Sequence, residues 1–191
     1  MNLLTAPRNF LWLVLILYQL LQIQPANADM YGEATARVYA RVEAHVAVTA
    51  VEAEVNLGNF QTGDLSGYVT FRVESNVDGI GIWASASNLY KGGTLNTKNV
   101  SLLQVLETAG AFIDPERAAP MGGANRMAAY VGVDIINGLP GRMTERIHFQ
   151  SSQKARFSQD VNLGIAWTQS DAVQPQGQYS GWVKMYCLIM D

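Results

Sequence analysis

The stretch ATARVYARVEAHVAVTA, residues 34–50, has apolar residues at every even position: Ala34, Ala36, Val38, Ala40, Val42, Ala44, Val46, Val48 and Ala50. The odd positions carry Thr35, Arg37, Tyr39, Arg41, Glu43, His45, Ala47 and Thr49. A two-residue period is the mark of a strand with one dry face. Seventeen extended residues reach about 55 Å at ~3.3 Å each, whereas a usual strand is about 17–20 Å long. One small domain does not easily cover all of that face, so part of the stretch needs a partner elsewhere.

Upstream lies MNLLTAPRNFLWLVLILYQLLQIQPANADM, residues 1–30, with Arg8, an apolar run from Phe10 to Leu21 broken only by Gln19, then Pro25 and Ala26-Asn27-Ala28. This order reads as a secretory signal peptide, 1–28, cut after Ala28. The apolar run is shorter than the ~20 residues that span a bilayer, so no stable membrane insertion is expected after cleavage. Cleavage leaves 163 of 191 residues, the size of one domain, and removes one arginine and no acid, taking the net charge from −3 to −4. A mildly acidic chain argues against a nucleic-acid partner and against a polybasic membrane surface. Cys187 is the only cysteine, so an internal disulfide is impossible even in an oxidising compartment. A buried, inert thiol in an apolar C-terminal run is the expectation for it.

Downstream, a short strand is expected around 54–57, then a turn region to Gly67. GYVTFRVESN, 67–76, alternates Val69, Phe71 and Val73 with Thr70, Arg72 and Glu74. After the Asp78-Gly79 turn dipeptide, DGIGIWASASNLY, 78–90, alternates again and is expected to be its hairpin partner. SLLQVLETAG, 101–110, fits a helix capped by Ser101 or a strand ending near Val105, with strand preferred because strand signals surround it. DPERAAPMGGAN, 114–125, is loop by composition. RMAAYVGVDI, 126–135, alternates Ala129, Val131, Val133 and Ile135 with Tyr130, Gly132 and Asp134. It is expected to form a hairpin with RMTERIHFQSS, 142–152, through the turn NGLPG, 137–141. KARFSQDVNLGIAWTQS, 154–170, and YSGWVKMYCLIM, 179–190, complete the pattern. Eight or so strands, turns and almost no helix predict an all-β, antiparallel two-sheet sandwich.

Chemistry is sparse. His45 and His148, the only histidines, lie on polar parities of strand-like runs and read as solvent-facing. No metal-ligand spacing, G-x-S-x-G elbow or phosphate-loop context occurs. No enzyme, cofactor or metal site is therefore expected. Trp83 and Trp182 sit on the parity opposite the apolar face and are candidates either for exposed binding surfaces or for contacts with flanking loops.

The succession of leader, long alternating N-terminal strand, VNLGNF (55–60), GYVTFRVESN, GIWASASNLYKGG (81–93), FSQDVNLGIAWTQSD (157–171) and QPQGQYSGWVKMYCLIM (174–190) resembles secreted bacterial pilin-like subunits. The likeness is nearest to the spore coat protein U and archaic chaperone–usher group, and it spans nearly the whole mature chain. It implies an immunoglobulin-like sandwich that lacks its final strand, with a donor-strand extension at 29–43 and a pilin domain at 44–191. In that arrangement Ala34, Ala36, Val38, Ala40 and Val42 enter a groove of a neighbouring identical subunit, and Val46–Val51 form the first strand of the chain's own domain. The implied partners are identical subunits, a periplasmic chaperone and an outer-membrane usher, with passage through the periplasm to the cell surface. Two departures stand: the disulfide common in such subunits cannot form, and Met190 and Gln178 occupy the penultimate and fourteenth-from-last places where classical subunits carry tyrosine and glycine.

Two functions follow as expectations: a structural fibre subunit in adhesion or biofilm formation, or a self-contained secreted β-sandwich adhesin or carbohydrate- or protein-binding module.

Overall fold

A computed structural model describes residues 35–59, 61–93, 101–105 (backbone), 110–170 and 173–190. The expected signal peptide, residues 29–34 of the expected donor extension and residues 94–100 lie outside the described residues. The described strands are β1 (Val46–Ala50), β2 (Gly63–Ser75), β3 (Gly79–Ser87), β4 (Leu89–Lys91), β5 (Ser101–Val105), β6 (Ala111–Pro115), β7 (Ala118–Pro120), β8 (Met127–Ala128), β9 (Tyr130–Ile136), β10 (Leu139–Thr144), β11 (Ile147–Ser151), β12 (Phe157–Gln169), β13 (Tyr179–Ser180) and β14 (Val183–Ile189). Every pairing is antiparallel. No helix occurs among the described residues, and none there is long and apolar enough to cross a membrane. The chain divides into a unit of residues 1–41 and a unit Val42–Asp191. Residues 35–41 of the first are exposed and carry no regular structure.

The second unit is all-β, with two sheets sharing one core. The first sheet runs β1-β2-β12-β5-β4-β13, with β6 also on β12 and β8 on β6. The second runs β7-β11-β3-β10-β9, with β14 on β3. The spine of the first sheet is the full-length pair of β2 and β12, from Phe157 opposite Ser75 to Gln169 opposite Gly63. In β12 every odd residue is buried, so Val161, Leu163, Ile165 and Trp167 face Ile80, Ile82, Ala84 and Ala86 of β3 in one apolar cluster. The opposite parity is polar and pairs across strands: Arg72 reaches both Asp160 and Ser158, and Thr70 donates to Asn162. Such cross-strand pairs are the unit of sheet stabilisation.

Several sequence expectations are corrected. β2 and β3 are not hairpin partners: Asn76–Asp78 carry the chain from one sheet to the other. Both edges of β2 are filled by β1 and β12. β10 and β11 pair in succession along one edge of β3, and β14 takes the other. A local turn dipeptide cannot override five long-range ladders. Residues 54–57 form no strand; the backbone N–H of Gly58, at φ 84°, bonds the Asn56 side chain instead, a local turn that competes with strand pairing. The stretch 114–125 is not all loop, because its prolines sit at strand ends and the Arg126 guanidinium holds Asp114 and the carbonyls of Pro115 and Ala118. Residues 142–152 are two strands, β10 and β11, separated at Glu145-Arg146. The 101–105 segment is a strand.

The β9–β10 hairpin forms as expected, through Asn137 (φ 49°) and Gly138 (φ 81°). Two successive positive φ values match the twist of tight hairpins and suit Asn-Gly. The alternating residues of β9 show an unexpected distribution: Val131, Val133 and Ile135 are 64 %, 80 % and 73 % exposed, while Tyr130 and Ile136 are buried. The register Val133–Arg142–Ala86 places the valine on the core-facing side of the sheet. β9 is the outermost strand, however, and that side is left uncovered by its marginal position.

Candidate functional site

The hydrogen-bonded part of the N-terminal stretch begins at a polar clamp. Asn76 donates to the Glu43 carbonyl (2.7 Å) and accepts the His45 N–H (2.8 Å), and Ser75 Oγ donates to the His45 carbonyl (2.8 Å). These bonds fix where β1 starts on β2. Before them, Ala36, Ala40, Val38 (92 % exposed) and Val42 (81 % exposed) belong to no strand. Of the five donor residues expected from the sequence, these four are described.

β1, the first strand, and β14, the last, lie side by side at the seam between the sheets. Each has a ladder partner on one side only among the described residues, β2 for β1 and β3 for β14. Core cover thins at this seam. Val46, Val48, Val183, Cys187 and Ile189 are only half-buried, although the β3 residues opposite them, Ile80, Ile82 and Ala86, are fully enclosed. Cys187 belongs to the lining; burial pushes its thiol up to about 12, which keeps it neutral and unreactive.

A second feature covers the outer face of β3. Trp83 and Tyr186, directly opposite in the β3–β14 register, stack with centroids 5.2 Å apart and planes 7° from parallel. The Arg146 guanidinium lies 4.6 Å from the Trp83 centroid, and the Lys184 ammonium 4.4 Å from that of Tyr186. The Tyr186 hydroxyl donates to Asp134 (2.6 Å), which also accepts the Ile135 N–H (2.8 Å). The bond from Tyr186 chiefly holds the Asp134 carboxyl below its usual range, against the smaller opposing effect of desolvation. Lys184 is raised, first through its contact with Tyr186. Both faces of the Trp83 ring have neighbours, so it offers no free face for a sugar. Trp182 remains 46 % exposed, its main chain bonded to Ser87.

The sequence reading did not find Arg146, Lys184, Tyr186 and Asp134 as a group, because they come from two strands and a break that only the β3 ladders bring together. The Lys-x-Tyr spacing at 184–186, which puts two residues on one face, was the one local signal. His45 and His148 are both exposed. Among the described residues no cluster of three His, Cys, Asp or Glu is placed to hold a metal ion. The Tyr130 hydroxyl is buried without a hydrogen-bond partner among them, and burial pushes its pKa well above the usual phenol value.

No protein-family model matches the chain, and no curated protein and no solved structure matches it either.

Proposed function

We propose that this chain is an exported structural subunit that polymerises by donating residues 34–42 to the seam between β1 and β14 of the next identical copy. The observation that carries the reading is the one-sided pairing of the last strand, β14, next to the equally one-sided β1. In this reading the pairing order β1-β2-β12-β6 against β3-β14 supplies the A-B-E-D and C-F strands of an immunoglobulin-like sandwich, and no described residue supplies a strand G. An inserted strand supplies that missing ladder and covers the half-buried lining together, the physics of β-augmentation. Two valines and three alanines, at ~0.8 kcal/mol per buried CH₂, contribute on the order of 5 kcal/mol, with main-chain bonds in addition. An unfilled subunit needs temporary cover against edge-to-edge aggregation, the role of a periplasmic chaperone, and an outer-membrane usher is the corresponding exit. Adhesion or biofilm formation is the function proposed for the fibre.

The competing reading, a self-contained binding module, draws least from Trp83, whose ring is already occupied on both faces.

The test compares the chain from Asp29 with a form starting at Glu43. Polymers from the first, and a monomer of the second that takes up an added 33–42 peptide, are expected. A stable full-length monomer that loses its fold on truncation would overturn the proposal.

A further inference from the structure

The outer face of the first sheet carries a glycine near the middle of β12. Gly164 lies on the solvent-facing parity, opposite Tyr68 of β2 on one side and Phe112 of β6 on the other. Phe112 in turn stands opposite Met127 of β8. One register row therefore crosses four strands as tyrosine, glycine, phenylalanine and methionine. Glycine inside a strand gives up side-chain packing and often marks a place where another group comes close. Here that group is an aromatic ring. A Cβ on residue 164 would stand 2.9 Å from Tyr68 Cε1, 3.3 Å from Tyr68 Cδ1 and 3.3 Å from Phe112 Cβ. The Tyr68 ring leans across the glycine, which supports it from below, yet the residue stays 63 % exposed.

The next row on the same face is polar. Thr70, Asn162 and Asp114 oppose one another across β2, β12 and β6. Thr70 donates to Asn162 Oδ1 (2.9 Å), which orients the amide and leaves its Nδ2 without a partner among the described residues. Asp114 holds Arg126 through Oδ1, so its other carboxylate oxygen can still accept. Residues two apart in a strand are about 6.8 Å apart, which sets amide and carboxylate beside the aromatic row.

We infer that this patch binds a neutral hexopyranose glycan, with Tyr68 as the stacking platform and Asn162 and Asp114 as its hydrogen-bonding pair. A pyranose has a face of C–H groups and a rim of hydroxyls. The C–H face, with its partial positive charge, suits the negative face of an aromatic ring. Rim hydroxyls both donate and accept, which suits one amide donor next to one carboxylate acceptor. An acidic glycan is disfavoured because the two cations beside the row are already engaged, Arg72 by Glu74 and Asp160, and Arg126 by Asp114. A protein partner is disfavoured by size, since one ring and its neighbours fall far below the ~800 Å² per partner of a standard interface. One platform and two hydrogen bonds give a weak site, with Kd on the order of millimolar. The site is complete within one subunit, so it does not rest on the polymer reading; in a fibre its recurrence adds multivalency.

Saturation-transfer NMR on the mature chain tests the inference, with maltohexaose, cellohexaose and mannohexaose as neutral probes and a polygalacturonate oligomer as the acidic one. At least one neutral probe is expected to bind, and more tightly than the acidic oligomer. Tyr68→Ala is expected to weaken that binding about tenfold, and Tyr68→Phe, which keeps the ring, to hold it within about twofold. Asn162→Ala leaves the ring on its glycine and is expected to weaken binding about fivefold. Trp182→Ala, at the exposed tryptophan elsewhere on the surface, is expected to change nothing. Circular dichroism verifies that each variant folds. No binding of any neutral probe at about 10 mM, preference for the acidic oligomer, retention in Tyr68→Ala or Asn162→Ala, or loss in Trp182→Ala overturns the inference.

Discussion

The Tyr186 hydroxyl on β14 donates a 2.6 Å hydrogen bond to Asp134 on β9, although β3 and β10 lie between those strands. The reach is possible because the floor beneath is made of small residues: Asp134 stands opposite Gly141, which stands opposite Ser87. With Trp83 and Arg146 on the other side of the tyrosine ring, the outer face of β3 is sealed by a band of side chains. β14, the proposed donor-accepting edge, and β9 at the far margin of the second sheet are thereby tied to one another.

Replacing Tyr186 by Phe removes the main cause of the lowered Asp134 carboxyl pKa. Stability from a carboxyl depressed on folding is complete above its unfolded value, ~3.9, and is lost as pH falls through the lower folded value. The substitution is expected to cost no more than about 1 kcal/mol at pH 7, given how much solvent reaches the carboxylate. Urea unfolding at pH 7 and again near the acid limit measures it. An equal loss at both ends would mean that the charge of Asp134 plays no part.

Trp83→Ala removes a stacked ring and opens the face of β3 beneath it. A loss of about 3 kcal/mol is expected from the combined burial and aromatic contact. Arg146→Ala, which leaves the stack in place, is expected to cost about 0.5–1 kcal/mol. Denaturant midpoints of the two variants rank them, and the reverse order would remove the stack from its assigned role.

Gly141→Ala places a Cβ 2.8 Å from the Ala86 carbonyl oxygen and 3.1 Å from its carbon. Both neighbours are main chain of β3, so β10 itself must move. A destabilisation of about 2 kcal/mol is expected, with a chemical-shift change concentrated on β3 and β10. Stability unchanged from the parent would contradict the close approach of these strands.

Val38→Asp bears on assembly. Val38 is almost wholly exposed in the single chain, so thermal unfolding of the monomer is expected to stay within about 0.5 kcal/mol of the parent. Burying that position in a neighbour's seam is worth about 1.5–3 kcal/mol, and a carboxylate there should prevent polymer formation, as size-exclusion chromatography would register. Polymer formation at parental levels would remove Val38 from the interface.

The Cys187 thiol, raised from 9.0 to about 12, should alkylate about a thousandfold more slowly than a free thiol at pH 8 in the folded protein, because only the thiolate reacts. Denaturant should restore the ordinary rate. Rapid labelling of the native chain would place Cys187 in solvent rather than in the seam lining.

Much of the architecture was legible from local pattern. The period of two in 67–76, 157–169 and 183–189 depends on nothing beyond the alternation of side chains in a strand, and all three stretches are strands. Asn137-Gly138 marked the β9–β10 turn because few residue pairs accept two positive φ values. Residues 114–125 and 142–152 were misread because composition reports average behaviour, whereas Arg126 and the β3 ladder act on particular atoms. The candidate site divides the same way. Clamp bonds at Asn76, the half-covered seam and the Asp134–Tyr186 band join residues far apart in the chain.

From its sequence alone, this protein is determined to be all-β, to have a single cysteine that cannot form an internal disulfide, and to carry an alternating N-terminal stretch longer than one strand. Which strands share a sheet was decided only by the tertiary structure. Alternation says that a strand has two faces, but it does not say which edges will be filled. β3 is flanked by β10, β11 and β14 rather than by its sequence neighbour β2, and β9 carries its valines in the open at the margin. Pairing of edges is settled by the competition of all strands for a common core, a property of the folded whole rather than of any segment.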